Sequence, residues 1–201
     1  MSAVQSDRQT AHSSADPPLL GLLVTRLQLA PGQLLVDAGC GTGGVGLWLA
    51  RALSVHLAGL DLSAAAVQHA TARTTAFVPA QRAAFRVAAL EATGLPDRCA
   101  HAVVCVDALG FATDRTAALR EFGRILAPGR RLALTRALRQ GAAPDYEEHA
   151  RAAGLVLEHV DERPDEPATW ERVFRPYDSG AIGGSCPSGS PQPPLRMSRH
   201  H

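Results

Sequence analysis

Apolar positions along the chain follow two rhythms that alternate from residue 17 onward. Short runs of mainly apolar residues, typical of buried strands, alternate with longer segments whose apolar residues recur at helical spacing. The pattern predicts helices over residues 17–29, 44–53, 64–76, 114–126 and 144–153. It predicts strands over residues 33–38, 55–62, 83–89, 101–108, 130–137 and 155–162. Strands that alternate with helices in this way predict an α/β fold with a parallel sheet.

Residue types that begin and end helices stand at the predicted boundaries. Ser63 offers a hydroxyl N-cap to the third helix, and Thr113 or Asp114 caps the fourth, which stops at Pro128 and Gly129. Each crossover is long enough to join parallel strands, so we predict a doubly wound, mostly parallel Rossmann-like sheet. A closed barrel would need about eight such units and roughly 250 residues.

The 201 residues are enough for one ordinary domain. Residues 1–16 are polar and are predicted to form a flexible arm, and residues 17–177 are predicted to form the globular domain. Residues 178–201 are rich in Gly, Ser and Pro and are predicted to form a disordered tail.

Composition argues against several classes of protein. No apolar run approaches the roughly 18 residues of a membrane span, and the polar N-terminus has no signal-like stretch, so we expect a cytoplasmic protein without a membrane partner. The net charge of +1 argues against nucleic acid as a partner. The four cysteines are widely spaced, without a CxxC pair, so neither a metal site nor a disulfide is predicted.

A glycine-rich segment between the first predicted strand and the next helix carries the most chemical information. Glycines let the backbone turn sharply and leave room for a ligand, at the strand ends where open α/β sheets bind ligands. Gly39, Gly41 and Gly44 satisfy GxGxxG, so a nicotinamide or flavin dinucleotide is a candidate ligand. However, Asp37 stands two positions before the first of these glycines. Its charge disfavours a phosphate and favours a ligand ammonium group.

A second carboxylate, Asp61, ends the second predicted strand, 20 residues after Gly41. A carboxylate at this position can accept hydrogen bonds from both hydroxyls of a ribose. An adenosine-containing ligand is therefore implied whether the loop binds a dinucleotide or a cationic ligand.

Five segments, in order, resemble the motifs of the class I S-adenosylmethionine-dependent methyltransferases, in the branch that acts on small molecules. They are VDAGCGTGG, LAGLDLS, AALEATGLP, HAVVCVDALGF and EFGRILAPGRRLALT. The resemblance extends over about residues 19–160 and implies S-adenosylmethionine as cofactor and a small molecule as methyl acceptor. The cofactor-binding residues that it implies are Asp37, Gly39, Cys40, Gly41, Gly43, Asp61, Leu62, Ala89, Leu90, Asp107 and Ala108.

The resemblance also implies individual roles. The glycines would border the methionine part of the cofactor, with Asp37 near its amino group, and Asp107 and Ala108 would face the reacting methyl. Asp61 would hold the ribose, and Leu62 would pack on the adenine, to which Leu90 would offer its backbone N–H. No catalytic base is assigned.

The sequence departs from the family pattern in three places. Ala89 stands where the family commonly has an acidic residue that reads the adenine amine, so that hydrogen bond is missing unless Glu91 reaches the same place. His101 stands where an aspartate is usual, and we expect a partly exposed histidine at the start of a strand. Nothing after Val160 predicts the seventh, antiparallel strand of the family.

Three functions remain open at this stage. The first is methyl transfer to an O, N or C atom of a small molecule, the second is an NAD(P)-dependent oxidoreductase, and the third is a truncated, non-catalytic relative of the methyltransferases. Asp37 argues against the oxidoreductase, whereas Ala89 and the missing seventh strand favour the non-catalytic relative.

Overall fold

A five-stranded parallel sheet forms the centre of the fold in this computed structural model, which describes residues 15–135 and 146–161. The strands are β1 (Leu34–Ala38), β2 (His56–Asp61), β3 (Ala83–Val87), β4 (Ala100–Cys105) and β5 (Leu126–Leu134). Their order across the sheet is β3-β2-β1-β4-β5, and every pair is parallel. The prediction of an α/β fold with a doubly wound parallel sheet is confirmed.

In the part of the chain that the structure describes, five α-helices accompany the strands. They are α1 (Pro17–Leu27), α2 (Gly44–Ala52), α3 (Ala64–Phe77), α4 (Arg115–Ile125) and α5 (Tyr146–Ala152). Side chains cap three of them: Asp16 accepts from the Leu19 N–H, Ser63 from the Ala66 N–H, and Asp114 from the N–H groups of the first turn of α4. Of the two caps predicted for α4, Asp114 is the one the structure uses.

Two apolar layers cover the two faces of the sheet, because successive strand residues point to opposite sides. Leu35 packs in the layer that contains the apolar faces of α1 and α2. Val36 packs in the other layer, with Phe122 and Ile125 of α4. Leu35 and Val36 point to opposite faces of β1 and are both fully buried, so the central strand is covered on both faces, as a doubly wound sheet requires.

The last strand begins earlier than predicted. It starts at Leu126, directly after α4, and the pairing with β4 is interrupted between Ala100 and Ala102. Pro128 and Gly129 lie in this interruption. Pro128 has no N–H to donate, and Gly129 has φ of +71°, so neither residue suits regular strand pairing.

The predicted sixth strand is wrong for the residues that the structure describes. Residues 155–161 contain no strand, and Val156 is 87% exposed. Side-chain ion pairs hold this segment instead, from Arg131 to Glu158 and from Arg26 to Asp161. The apolar pattern of residues 155–161 predicted a strand. However, this segment contacts β5 and α1 through the charged side chains of Glu158 and Asp161, and not through a ladder of backbone hydrogen bonds.

Several predictions fall outside the described residues. They concern the N-terminal arm up to residue 14, the start of the helix at residues 144–145, the seventh strand and the tail at 178–201. Among the described residues, no helix is both long and apolar enough to cross a lipid bilayer.

Candidate functional site

The carboxyl ends of β1, β2 and β4 meet at one edge of the sheet. The chain runs outward from β1 to β3 on one side and from β4 to β5 on the other, so the strand order reverses between β1 and β4. Open α/β sheets bind ligands at such a reversal, outside the carboxyl ends of the strands. The glycine-rich segment after β1 lies at this point.

Three glycines of this segment adopt left-handed backbone conformations, but only one faces open space. Gly39 and Gly43 have φ of +78° and +81°, and an added Cβ would meet Ala108 and Ala70, at 2.1 Å and 3.1 Å. Gly41 has φ of +52°, and an added Cβ would meet no atom within 4 Å. The outer glycines therefore let the loop pack closely, whereas the backbone at Gly41 is open to a ligand.

Asp61 connects the end of β2 to the glycine-rich loop. Its Oδ2 accepts a hydrogen bond from the Gly41 N–H at 2.8 Å, and its Oδ1 accepts one from the Ser63 N–H at 2.8 Å. These two bonds fix the orientation of a half-buried carboxylate at the site. Each oxygen retains a second acceptor position, so the side chain can still bind the two hydroxyls of a ribose.

Asp37 lies deeper, beneath the first turn of α2. Its side chain is 2% exposed and its Oδ2 accepts a hydrogen bond from the Gly46 N–H at 3.0 Å. Burial raises the pKa of Asp37 to about 7; the Gly46 hydrogen bond opposes this rise, and the negative charge of Asp61 adds to it. A cationic group beside Asp37 would therefore favour the ionised form of this carboxylate.

The side chain of Cys40 points into the protein. The residue is buried, and an added Cβ at Gly59 would lie 3.2 Å from the Cys40 Sγ. Burial, followed by the charges of Asp37 and Asp61, raises the pKa of this thiol. Cys40 can therefore face a ligand only through its backbone, and its thiol is unreactive.

Arg73 on α3 holds the loop from outside, which the sequence did not indicate. Its Nη1 donates to the Thr42 carbonyl oxygen at 3.0 Å and to the Thr42 Oγ1 at 3.1 Å. The guanidinium also lies 5.6 Å from the centre of the Phe77 ring, within the range of a cation–π contact. Burial lowers the pKa of Arg73.

Exposed apolar side chains flank Asp61, where the adenine was predicted. Leu62 is 63% exposed, and Val87, the register partner of Asp61 on β3, is 53% exposed. Large apolar side chains beside a polar strand end are suited to packing on a flat aromatic ring. Val87 was not among the predicted site residues, because only the strand register shows that it lies beside Asp61. Leu90, in the segment that follows β3, is buried, and its Cδ2 would lie 3.9 Å from an added Cβ at Gly39.

The Oε1 of Glu91 does not replace the hydrogen bond to the adenine amine that an acidic residue at position 89 would accept. This oxygen accepts hydrogen bonds from the backbone N–H groups of Thr113 at 2.6 Å and Asp114 at 3.1 Å. The Asp114 hydrogen bond is the main reason that the pKa of Glu91 is lowered. Glu91 thus joins the loop after β3 to the start of α4.

Asp107, just after β4, combines an exposed carboxylate with a left-handed backbone of φ +53°. Its N–H donates to the Thr135 Oγ1 at 2.7 Å, and the Thr135 hydroxyl donates to its Oδ1 at 2.7 Å. This reciprocal pair joins the ends of β4 and β5. A non-glycine residue held in this conformation by its surroundings is a feature that clusters at functional sites. Ala108 is buried against Gly39.

His101 lies at the opposite edge of the sheet. Its Nδ1 accepts a hydrogen bond from the Leu34 N–H at 3.3 Å, and its side chain is half-buried. The prediction of a partly exposed histidine at the strand start is confirmed. Within the described ranges, no group of three or more His, Cys, Asp or Glu is placed to hold a metal ion.

Residues 35–129 match the methyltransferase domain family, and this segment contains the carboxyl ends of β1, β2 and β4. Over residues 35–129, the chain is a methyltransferase domain of the class I, S-adenosylmethionine-dependent type. The resemblance that the five sequence segments predicted is confirmed. This methyltransferase domain places its glycine-rich loop, Asp61 and the end of β4 together, as the resemblance implied.

The names of two curated relatives of the methyltransferase domain identify small molecules as their substrates. Phosphoethanolamine N-methyltransferase 1 of Arabidopsis thaliana is 28% identical over 139 residues, which are 68% of this chain and 28% of the relative. The 27-O-demethylrifamycin SV methyltransferase of Amycolatopsis mediterranei is 30% identical over 128 residues, 64% of this chain and 47% of the relative. The chain spans about a quarter to a half of the length of the curated relatives it matches.

Solved structures share the fold of the methyltransferase domain. A candidate sarcosine dimethylglycine methyltransferase from Galdieria sulphuraria superposes with a TM-score of 0.68 and 17% identity. The match covers 90% of this chain and 74% of that one. At this identity the likeness establishes the fold alone.

Proposed function

We propose that this chain binds S-adenosylmethionine and transfers a methyl group to a small-molecule acceptor. The observation that supports the proposal is the hydrogen bond from the Gly41 N–H to Asp61, because it holds the carboxylate that we propose binds the ribose beside the loop glycine that faces open space. Both lie at the carboxyl ends of neighbouring parallel strands, where this type of sheet binds ligands.

The groups around Gly41 suit the chemistry of the cofactor: a backbone open to a ligand, the Asp61 carboxylate beside it and the exposed apolar side chain of Leu62. In the proposed arrangement the backbone of residues 39–43 borders the methionine part, with the Asp37 carboxylate on its cationic side, and Asp61 holds the ribose. Leu62 and Val87 enclose the adenine, and Ala89 and Leu90 line its far edge. Asp107 and Ala108 border the reacting group.

When bound, S-adenosylmethionine supplies a methyl group already activated by its sulfonium. The task of the protein is then to align the acceptor with that methyl for an in-line displacement and to exclude water. Asp107 and Thr135 fix the end of β4 beside the proposed methyl position. We assign no general base, which such a transfer needs only when the acceptor must lose a proton.

The acceptor is proposed to be a small molecule that is methylated on N, O or C. The N- and O-methyltransferases among the relatives support this class. Phe111, in the turn after β4, is 84% exposed and offers an aromatic surface beside the site. A cytoplasmic location, and residues 17–177 as the extent of the domain, are part of the same proposal.

The oxidoreductase alternative is less consistent with the geometry. Dinucleotide folds place a pyrophosphate at the N-terminus of the helix after the first strand. Here the Gly46 N–H in the first turn of α2 already donates to the buried Asp37 carboxylate. A second anion at that helix end would meet an internal negative charge.

Titration calorimetry on the full chain, together with a product assay, separates the three functions. We expect S-adenosylhomocysteine to bind with measurable heat and NAD to give none. Binding of NAD alone would overturn the proposal in favour of the oxidoreductase, and binding of neither by folded protein would exclude both. Methylated product with a panel of phenols, amines and quinones distinguishes an active enzyme from a non-catalytic relative.

A further inference from the structure

One row of residues crosses the sheet beneath the glycine-rich loop. Val104, Asp37, Gly59 and Phe85 are register partners on β4, β1, β2 and β3. Register partners on parallel strands point to the same face of the sheet. Since Gly59 has no side chain, the row contains a gap, with the Asp37 carboxylate on one side and the Phe85 ring on the other.

The Phe85 ring fills this gap. An added Cβ at Gly59 would lie 2.2 Å from the ring Cδ1 and 2.4 Å from Cε1. Both distances are far below van der Waals contact, so the ring lies directly across the Gly59 backbone. Any side chain at position 59 would have to displace it.

The tip of the same ring reaches the loop. An added Cβ at Gly43 would lie 3.3 Å from the Phe85 Cζ, and the Cys40 Sγ also faces Gly59. Gly43 is the N-cap of α2, and the Gly46 N–H in the first turn of that helix donates to Asp37. The start of α2 therefore rests on the sheet at two points, the Asp37 carboxylate and the Phe85 ring.

We propose that Phe85, seated across Gly59, is a positioning residue for the glycine-rich loop, and that this pair sets the affinity of the chain for the adenosyl cofactor. The inference rests on the proposed function. The ring approaches the loop at Gly43 and is not among the atoms near an added Cβ at Gly41, so we infer that it acts on the ligand through the loop backbone. Close packing transmits a displacement of the ring to residues 40–43.

The substitution Gly59→Ala tests this pair. Gly59 does not have a left-handed backbone, so alanine is tolerated there by the main chain and the change acts through the ring. We expect the Kd for S-adenosylhomocysteine to rise about tenfold, as forced overpacking next to a binding loop would produce. Gly21→Ala on α1 is the matched control, because an added Cβ there meets nothing within 4 Å, and it should leave the Kd unchanged.

A double variant distinguishes positioning from general damage. Phe85→Val removes the ring atoms that an alanine at position 59 would meet. We expect Gly59→Ala combined with Phe85→Val to bind no more weakly than Phe85→Val alone, so the two effects do not add. Additive losses would overturn the proposal. Should Gly59→Ala fail to fold, Phe85→Leu, which introduces no new contact at Gly59, carries the test, with an expected rise in Kd of several-fold.

Hydrogen exchange of the ligand-free chain provides a readout that does not depend on binding. Gly59→Ala should speed amide exchange in residues 39–46 while exchange in β4 and α4 stays as in the unmodified chain. Unchanged exchange in residues 39–46, or a Kd within twofold of the original, would overturn the inference. Failure of the unmodified chain to bind S-adenosylhomocysteine would instead overturn the proposed function, and the exchange experiment would still test the role of Phe85.

Discussion

The Asp61 carboxylate and the Gly41 N–H form a 2.8 Å hydrogen bond that joins the end of β2 to the loop after β1. Gly41 and Asp61 are 20 positions apart in the sequence, and the whole of α2 lies between them, so a local turn does not account for this contact. The bond ties the ligand-facing part of the loop to the residue that would bind the ribose. Loop position and ribose binding are thereby coupled in a single side chain.

Asp61→Ala is expected to abolish the heat of S-adenosylhomocysteine binding. The substitution removes the acceptors for the ribose and for the Gly41 N–H together, and unpaired polar groups at a binding site cost about 1–3 kcal/mol each. Calorimetry measures the loss, and Asp97→Ala, a change of the same type before β4 at the far edge of the sheet, should retain binding. Unchanged binding by Asp61→Ala would show that the ribose assignment is wrong.

The raised pKa of Asp37 leads us to expect that cofactor affinity rises with pH. Its pKa is raised to about 7 in the ligand-free protein, and a ligand ammonium group would favour the ionised carboxylate. Affinity for S-adenosylhomocysteine should therefore increase between about pH 5.5 and 8, by at most about tenfold per pH unit, with release of a proton on binding. Calorimetry in buffers of different ionisation enthalpy measures that proton. Asp37→Asn should remove the dependence, and a flat profile for the unmodified chain would contradict the proposed position of the ligand amine.

The same carboxylate predicts a pH-dependent contribution to stability. The folded chain keeps the Asp37 proton up to about pH 7, whereas the unfolded chain releases it near pH 4, so the free energy of unfolding falls as pH rises through this interval. Asp37→Asn removes the buried charge and should raise the free energy of unfolding at pH 8 by on the order of 2 kcal/mol. Urea unfolding at pH 5 and pH 8 measures the increase in unfolding free energy that Asp37→Asn causes. A larger increase at pH 5 than at pH 8 would contradict the prediction.

Ala89→Asp is expected to strengthen cofactor binding. The substitution restores the acidic residue that the family commonly uses to read the adenine amine, a contact that the Oε1 of Glu91 does not provide because it is bonded to Thr113 and Asp114. One such hydrogen bond is worth about 1 kcal/mol, or several-fold in Kd. Calorimetry with Ala80→Asp, an exposed position before β3, controls for added charge. Equal effects of the two variants would exclude a specific contact.

Glu121→Gln should destabilise the fold without weakening cofactor binding. Glu121 accepts hydrogen bonds from the buried Thr93 and from Arg124, and the Arg124 bond is the main reason that its pKa is lowered to about 2. Loss of the charge should cost about 1–3 kcal/mol of unfolding free energy at pH 7. Because the folded pKa is depressed, the difference from the unmodified chain should shrink as pH falls from about 4.5 towards 2. Urea unfolding at several pH values measures it.

The sequence predicted the inner strands well because their burial leaves a continuous apolar pattern. β1 and β4 are covered on both faces, and their observed bounds lie within a few residues of the predicted ones. Residues 155–161 have a similar apolar content but form no strand, since that outcome depends on whether the neighbouring edge pairs with them. Edge pairing is a tertiary choice that a local pattern does not encode.

The acidic and glycine residues of the site were also predicted, because their positions follow from the turn after β1 and the end of β2. Arg73 and Phe85 were not, although both contact the loop. Arg73 lies 31 residues from Thr42, and Phe85 reaches Gly43 only through the register of β3 on β2. A polar helix residue and an apolar strand residue carry no local signal of such contacts.

The central place of β1 in the sheet has a consequence for how the protein is made. During synthesis β2 and β3 leave the ribosome soon after β1, but β4, the other neighbour of β1, begins only at Ala100. Until then the nascent chain has an uncovered apolar strand edge, which invites pairing with other chains and favours protection by a chaperone. The close packing of Ala108 against Gly39, at the proposed cofactor site, forms only after β4 is in place, so we expect a ligand to assist the late steps of folding but not the first ones.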